Sequence, residues 1–191
     1  MKKGLKIYLF RHGRTEYNVG GKFTGHNKTR LTKSGIDDAK IVAIRLKNKK
    51  FQVAFKTKLP RSTETLKEVL KFHPECKTTI EDNKMIERAY GTLQGSTHLS
   101  VVKKHGPAKY DLWHRGWTNR PPKGESFADV EKRVKKFITN LKKFMKKNNV
   151  NVAISAHGNS IRLFRRIMEG ISIKETTQIF VPYDVYFEYD V

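Results

Sequence analysis

The stretch YLFRHGRTEYN, residues 8–18, places a run of apolar and aromatic residues directly before Arg11, His12 and Gly13. A second stretch, VAISAHGNSIR at residues 152–162, repeats the order of an apolar run, a histidine and a glycine. Short apolar runs of this kind are typical of buried strands. Because ligands bind at the carboxyl ends of the strands in an open parallel sheet, we expect His12 and His157 to lie side by side at that edge.

Apolar runs and amphipathic segments alternate along most of the chain. The pattern predicts strands at residues 5–10, 52–56, 78–82, 150–156, 177–181 and 185–191, and helices at residues 31–51, 61–72, 126–147 and 160–168. Residues 83–124 are irregular and rich in Gly, His, Pro and aromatic residues, which is typical of functional loops with short helices. This alternation predicts a three-layer α/β/α sandwich with a mainly parallel central sheet, formed by residues 1–191 as a single domain.

The sequence also predicts where two of the helices begin and which side of one of them is buried. Thr32 and Ser126 are predicted N-caps, because their hydroxyl groups can accept hydrogen bonds from the first turn of a helix. The helical spacing predicts that the first helix buries one face, made of Ile36, Ala39, Ala43 and Leu46.

The composition limits the class of protein. No apolar run approaches the roughly 18 residues of a membrane span. The N-terminus MKKGLKIYLF begins like a signal peptide, but its apolar stretch is short and ends at Arg11. Cys76 is the single cysteine, which excludes an internal disulfide and is compatible with a reducing compartment. We therefore expect a soluble, cytoplasmic protein with no membrane association.

The chain is strongly basic, with 40 Lys and Arg against 18 Asp and Glu and a net charge of +22. A nucleic-acid partner is one interpretation of this charge. However, the lysines are dispersed in pairs along the chain, and no recognised nucleic-acid motif accompanies them. We favour a basic surface that attracts small anionic metabolites, and we do not expect nucleic acid to be a partner.

The two histidine stretches fit phosphoryl transfer through histidine. A neutral imidazole is a competent nucleophile near neutral pH, and arginine binds phosphate oxygens with a planar pair of donors. Arg11 and Arg14 flank the first histidine, and the residues after His157 offer the N-terminus of a helix to an anion. A metal site is the rival interpretation, but the sequence contains no His-x-His, HExxH or clustered carboxylate pattern, so we predict no metal.

Five separated motifs, in order, carry a resemblance to a known family. RHGRTEYN resembles the signature of the histidine phosphatase superfamily. GKFTGHNKTRLTKSG, ERAYGTLQG, AHGNSIR and MEGIS resemble the cofactor-dependent phosphoglycerate mutase branch of that superfamily. The resemblance covers nearly the whole chain and implies a metal-independent enzyme of glycolysis and gluconeogenesis. This enzyme would interconvert 3-phosphoglycerate and 2-phosphoglycerate through a phosphohistidine and would be primed by 2,3-bisphosphoglycerate.

The resemblance also implies roles for individual residues. His12 would be the nucleophile and Glu87 the general acid and base, because a carboxyl group beside a phosphate can shuttle a proton. The pocket for the transferred phosphate would be lined by Arg11, Asn18, Arg61 and His157. The remaining substrate contacts would come from Thr24, Gly25, Arg88, Tyr90, Gly158 and Asn159.

The sequence departs from the mutase pattern at two substrate-facing positions. His98 follows LQG where the mutases usually have a lysine, and His114-Arg115 follows a tryptophan where they have two arginines. Arg120 is a candidate to compensate for the missing charge. Because each change replaces a cation with a titratable ring, we expect weaker binding of a substrate carboxylate.

Two other functions therefore stay open beside the mutase. A histidine phosphatase would use the same phosphohistidine and pass the phosphoryl group to water, and the shortness of the chain favours water entry. A basic binding module on an inactive scaffold is the third hypothesis, although all of the chemical residues are present. A homo-oligomer is compatible with the resemblance, because the family includes monomers, dimers and tetramers.

Overall fold

A five-stranded sheet forms the centre of the fold in a computed structural model that describes residues 4–191. Its strands are β1 (Lys6–Arg11), β2 (Val53–Lys56), β3 (Thr78–Glu81), β4 (Val152–Ala156) and β5 (Tyr186–Asp190). They lie in the order β3-β2-β4-β1-β5. The first four are parallel to one another, and β5 pairs with β1 in the antiparallel direction. The predicted α/β fold with a mainly parallel sheet is confirmed.

Helices connect the strands and cover both faces of the sheet. They are α1 (Glu16–Val19), α2 (Lys33–Leu46), α3 (Pro60–Leu70), α4 (His98–His105), α5 (Pro107–Arg115), α6 (Phe127–Asn148), α7 (Gly158–Glu169) and α8 (Ile173–Gln178). Short 3-10 turns occur at Asn83–Met85 and Gly91–Leu93. Both predicted caps are present, since Thr32 accepts from the N–H of Gly35 and Ser126 accepts from the N–H of Asp129.

The two faces of the sheet bury separate apolar clusters because successive side chains of a strand point to opposite faces. In β1, Ile7 and Leu9 pack with the buried face of α6 and with α7. Tyr8 and Phe10 belong to the other cluster, which contains residues of α2 and α3. One cluster joins the sheet to α6 and α7, and the other joins it to α2 and α3, so the fold has three layers.

The central strands β1 and β4 bring the two histidine stretches together. Their register pairs Phe10 with Ser155 and Arg11 with Ala156, so both strands end at the same level. The N–H of His12 still donates to the carbonyl of Ala156, at 3.1 Å. His12 and His157 therefore leave the sheet side by side at its carboxyl edge, as their positions after two strands predicted.

Four local predictions are wrong. Helix α2 ends at Leu46, five residues before the predicted end at residue 51. Residues 177–181 do not form a strand: α8 ends at Gln178, and residues 179–181 have no regular structure. Arginine side chains, rather than a neighbouring strand, bind the carbonyls of this segment. Ile36 is 39% exposed, because the buried stripe of α2 begins at Gly35 and contains Val42 instead. Helix α7 begins at Gly158, two residues before the predicted start.

Within residues 4–191, no helix combines the length and the apolar character that a membrane span requires.

Candidate active site

A cavity of about 200 Å³ opens at the carboxyl ends of β1 and β4. The end of β1 contributes Arg11, the start of α7 contributes Gly158, and the loop before α2 contributes a further wall. The residues that line the cavity are Arg11, Asn18, Gly21, Lys22, Phe23, Thr24, Gly25, Glu87, Tyr90, His98, His114, Gly158, Asn159, Arg162, Val181 and Tyr183. Ten of the fifteen residues predicted for the site are among them.

His12 lies buried beside this cavity with its two ring nitrogens in different roles. Nδ1 lies 2.7 Å from the carbonyl oxygen of Gly13, which can only accept, so Nδ1 carries the proton. The Nε–H of Arg61 donates to Nε2 at 3.2 Å, so Nε2 holds the lone pair. A nucleophilic imidazole needs this tautomer, because the attacking nitrogen has to be unprotonated.

His157 lies directly beside His12, with the ring centres 5.0 Å apart. Its Nε2 is joined to the hydroxyl group of Thr57 by a hydrogen bond of 2.8 Å. Its Nδ1 is buried and has no hydrogen-bond partner among the described residues. A buried polar atom of this kind is costly unless a ligand satisfies it, so Nδ1 is a candidate contact for a bound phosphate.

Both imidazoles are held in the uncharged form. Burial, with the charges of Arg61 and Arg11, lowers the pKa of His12 well below its ordinary value. Burial and Arg61 likewise lower the pKa of His157. The nucleophile is therefore unprotonated throughout the neutral pH range.

Two arginines supply positive charge beside the nucleophile. Arg61, at the start of α3, donates to the carbonyls of Gly25 and Asn27, both at 2.8 Å. Burial lowers its pKa to about 10, so it stays charged at neutral pH. Arg11 donates to the carbonyl of Val181 at 2.7 Å, and its Nε is buried without a partner in the part of the chain described. These guanidinium groups suit a phosphate anion.

Glu87 is the only carboxylate that lines the cavity in the described part of the chain. It is 7% exposed, and its Oε1 accepts hydrogen bonds from the N–H of Arg88 at 2.8 Å and of Asn159 at 3.1 Å. The other carboxylate oxygen makes no contact of this kind with the residues in 4–191. Glu87 is thus fixed at the cavity wall with one oxygen free for proton transfer.

Glycine is required where the loop before α2 meets the cavity wall. Gly25 has a φ of +48°, and a Cβ atom there would lie 2.1 Å from Oε1 of Gln94. That oxygen accepts from the N–H groups of His26 and Tyr90. The backbone of the loop is therefore held against the segment that carries Glu87.

Three cations predicted to hold substrate lie elsewhere. Arg88 is fully buried behind the cavity, with its guanidinium between the rings of Tyr90 and Phe127. Arg115 does not line the cavity, because its guanidinium donates to the carbonyl of Thr177 at 2.5 Å. Arg120 does not compensate, since it forms an exposed ion pair with Asp129 at 2.6 Å.

His98 and His114 do line the cavity, at the positions where the resemblance implies cations. Burial and the charge of Arg115 lower the pKa of His98, and the same causes lower the pKa of His114 to about 2. Both rings pack against Phe23, with ring centres 4.1 Å and 5.7 Å away. This wall of the cavity is therefore aromatic and uncharged at neutral pH.

Arg162 is a cavity residue that sequence reasoning missed. It donates to Oδ1 of Asn159 at 3.0 Å and to the carbonyl of Ile179 at 2.6 Å. Burial lowers its pKa to about 10, so it is charged at neutral pH. The sequence does contain a signal for this position. Arg162 ends the HGNSIR motif and lies one helical turn after Gly158 and Asn159, so it shares their face of the helix.

Residues 177–183, at the end of α8 and after it, are also part of the site, which no sequence pattern indicated. Three arginines bind alternate carbonyls of this segment: Arg115 binds Thr177, Arg162 binds Ile179 and Arg11 binds Val181. The segment brings Val181 and Tyr183 into the cavity, and the ring of Tyr183 lies 3.8 Å from the guanidinium of Arg11. Lys22 and Phe23 also line the cavity, and no motif in the sequence predicts a role for them.

The geometry can support attack on a phosphoryl group. An unprotonated nitrogen faces a cationic environment, and a carboxylate lies at the wall where a leaving oxygen would need a proton. Across residues 4–191, no group of three or more His, Cys, Asp and Glu side chains is arranged to hold a metal ion.

Comparison with known proteins agrees with this geometry. The model of the histidine phosphatase superfamily (branch 1) matches residues 7–184. The chain belongs to the histidine phosphatase superfamily. The resemblance drawn from the five motifs is thereby confirmed.

Curated relatives within the superfamily carry mutase names. The 2,3-bisphosphoglycerate-dependent phosphoglycerate mutase of Cytophaga hutchinsonii is 33% identical over 173 residues, which cover 91% of this chain and 81% of the relative. The phosphoglycerate mutase of Schizosaccharomyces pombe is 36% identical over 171 residues, which cover 87% of this chain and 80% of the relative.

Solved structures of the superfamily share the fold of this chain. A putative alpha-ribazole-5'-P phosphatase from Escherichia coli superposes with a TM-score of 0.84 at 23% identity, covering 97% of this chain and 90% of its own. A mycobacterial glucosyl-3-phosphoglycerate phosphatase has a TM-score of 0.84 at 21% identity, covering 96% of this chain and 90% of its own. At these identities, the likeness establishes the phosphoglycerate mutase-like fold and no particular substrate.

Proposed function

We propose that this protein interconverts 3-phosphoglycerate and 2-phosphoglycerate through a phosphohistidine on His12. The observation that carries the proposal is the charge of the small cavity. Arg11, Lys22 and Arg162 line it, and Glu87 is the one carboxylate among its described lining residues. Because phosphoglycerate carries a carboxylate as well as a phosphate, it needs cations beyond those that bind the phosphoryl group.

The size of the cavity supports the same substrate class. Pockets for drug-sized ligands commonly have volumes of about 300–1,000 Å³. At about 200 Å³, this cavity fits a molecule with a three-carbon skeleton better than a large phosphoester. The curated mutases that are 33% and 36% identical to this chain give independent support.

The proposed chemistry follows from the tautomer of His12. Its Nε2 attacks a phosphorus atom of a bisphosphoglycerate donor, the bond from phosphorus to the ester oxygen breaks, and that oxygen takes a proton from the Glu87 carboxyl group. The phosphorylated His12 then passes its phosphoryl group to the free hydroxyl of 3-phosphoglycerate, with Glu87 removing the proton of that hydroxyl. The bisphosphoglycerate so formed returns its other phosphoryl group to His12, its ester oxygen takes the proton from Glu87, and 2-phosphoglycerate leaves. Arg11 and Arg61 stabilise the charge on the phosphoryl oxygens in both directions.

A free mutase needs a phosphoryl donor to begin. The donor we propose is 2,3-bisphosphoglycerate, as in the relative from Cytophaga hutchinsonii, whose name specifies it. The orphaned Nε of Arg11 and Nδ1 of His157 fit the phosphoryl group that this donor delivers to His12, since both are buried polar atoms without a partner among the described residues.

Phosphatase activity is the second candidate, and one observation favours it. The wall formed by His98 and His114 carries no charge at neutral pH, and Arg115 is bound to the Thr177 carbonyl. A weakly held carboxylate lets the product leave before it accepts the phosphoryl group. Water then takes the phosphoryl group from His12.

The test couples formation of 2-phosphoglycerate to enolase while free phosphate is measured in the same reaction. With 3-phosphoglycerate as substrate, we expect 2-phosphoglycerate to form at a rate that depends on added 2,3-bisphosphoglycerate. The variant His12→Ala should lose this activity, whereas His105→Ala, outside the cavity lining, should keep it. Phosphate release without isomerisation would contradict the mutase and support the phosphatase.

A further inference from the structure

Glu87 lies in a segment without regular structure, between the 3-10 turns Asn83–Met85 and Gly91–Leu93. Its carboxylate is bound by backbone N–H groups, but the carbonyls of this segment need donors of their own if they are buried. Over residues 4–191, no strand pairs with the segment to supply them, so a side chain from another element has to fix its position.

Arg133, on α6, supplies most of these donors. Its Nη1 donates to the carbonyls of Lys84 and Ile86, both at 2.7 Å, and its Nη2 donates to the carbonyl of Glu87 at 3.1 Å. One rigid guanidinium therefore binds three carbonyls within four residues. The planar fork of arginine suits this arrangement, whereas a lysine ammonium could not reproduce it.

Glu125 completes the arrangement from the other side. Its Oε1 and Oε2 accept from Nε and Nη2 of Arg133, each at 3.0 Å, and its Oε2 also accepts from the N–H of Ala89 at 2.9 Å. Burial alone would raise the pKa of Glu125, but the hydrogen bonds and charge of Arg133 outweigh it and lower that pKa. The pair is therefore ionised and joins backbone groups on both sides of Glu87.

We propose that Arg133 and Glu125 are positioning residues that hold the Glu87 carboxyl group at the ester oxygen of the substrate. Neither side chain lines the cavity, so their contacts reach the site through the backbone that carries Glu87. The inference rests on the proposed function in one respect, namely that Glu87 donates the proton when His12 is phosphorylated.

This role predicts a dependence on the leaving group. When Nε2 of His12 bonds to phosphorus, the electron pair of the broken bond stays on the ester oxygen. An alkoxide formed from 2,3-bisphosphoglycerate needs the proton of Glu87, whereas p-nitrophenolate is stable without one. A misplaced Glu87 should therefore slow phosphorylation by 2,3-bisphosphoglycerate and spare phosphorylation by p-nitrophenyl phosphate.

The experiment measures phosphorylation of His12 by rapid quench with each of the two donors. For Arg133→Met we expect the rate with 2,3-bisphosphoglycerate to fall about 100-fold, the scale of a displaced catalytic group, while the rate with p-nitrophenyl phosphate changes less than about 3-fold. Glu87→Gln should show the same selectivity, and Arg133→Lys should show it more weakly. Glu125→Gln tests the second member of the pair.

Lys132→Met is the matched control, because Lys132 is the exposed neighbour of Arg133 on α6 and should change neither rate. Urea unfolding of each variant measures how much protein is folded. A purely structural role would lower both rates equally, and that result, like unchanged rates in Arg133→Met, would overturn the inference. Absence of His12 labelling in the wild type with either donor would instead overturn the proposed function, and this inference with it.

Discussion

The cavity side chains show how burial controls the charge of histidine. His114 packs among aromatic rings beside Arg115, and burial with that charge lowers its pKa to about 2. An unfolded chain would protonate the same imidazole near pH 6.5. Below that pH, His114 binds a proton in the unfolded state but not in the folded state. The stability that His114 contributes is therefore complete above about pH 6.5 and is lost progressively as the pH falls.

Replacing this histidine should flatten the pH dependence of stability. Relative to His114→Gln, the wild type should lose up to about 2 kcal/mol in the free energy of unfolding between pH 7 and pH 5, because a proton binds only the unfolded wild type. Urea unfolding of both proteins at the two pH values measures this difference. Curves that shift equally with pH would show that His114 is protonated in the folded protein.

The side chains of the site differ in how well the sequence predicts their positions. His12 and His157 each follow a predicted strand, and Glu87 stands in a motif that the family resemblance identifies. Arg88 and Arg115 also stand in motifs, yet Arg88 lies behind the cavity and Arg115 binds the Thr177 carbonyl. The direction of a long side chain depends on which carbonyl groups the fold brings near it, and no pattern in the sequence contains that information.

The first turn of α2 shows how tightly one element is fitted to another. Gly35 lies against the loop that follows β1, and a Cβ atom at Gly35 would approach the carbonyl oxygen of Arg14 to 2.0 Å. A Cβ atom at Gly13 would meet the carbonyl oxygen of Gly35 at the same distance. Because backbone faces backbone on both sides, neither can yield easily. This close approach holds the loop after β1, which begins with His12, against the first turn of α2.

Gly35→Ala tests this fit. Alanine is the better helix former by about 1 kcal/mol, but overpacking costs typically 1–3 kcal/mol, and a backbone clash lies at the upper end of that range. We expect a net loss of about 1–2 kcal/mol in the free energy of unfolding, together with reduced turnover. Lys33→Ala, an exposed change in the same turn, should be neutral or slightly stabilising. A Gly35→Ala protein as stable as the wild type would show that the loop can move away freely.

Strand prediction failed where apolar residues serve the cavity rather than the sheet. Residues 177–181 have the composition of a strand, but their alternate carbonyls bind three arginines and Val181 faces the cavity. Phe180 is 66% exposed, so the pattern does not reflect burial on two faces. By contrast, β1 and β4 were predictable because they are buried on both faces and read as continuous apolar runs.

Considered as a whole, the molecule combines a strongly basic composition with a cationic cavity. The net charge of +22 gives a positive field that attracts anionic substrates from a distance. Many lysines of α6 lie on its exposed side, opposite the buried residues from Phe127 to Met145. The layer order was predictable because helix and strand periodicities alternate. The contacts between layers that shape the cavity were not, since they join residues far apart in the chain.

The most direct measurement locates the phosphoryl group in the intermediate. Wild-type enzyme is mixed with a phosphate donor, quenched in alkali within milliseconds to seconds and examined by phosphorus NMR and by mass spectrometry of its peptides. We predict phosphate on Nε2 of His12, because Nδ1 carries the proton that is donated to Gly13, and no phosphate in a His12→Asn variant. Phosphate on His157, phosphate on Nδ1, or turnover without any phosphorylated protein would contradict the account.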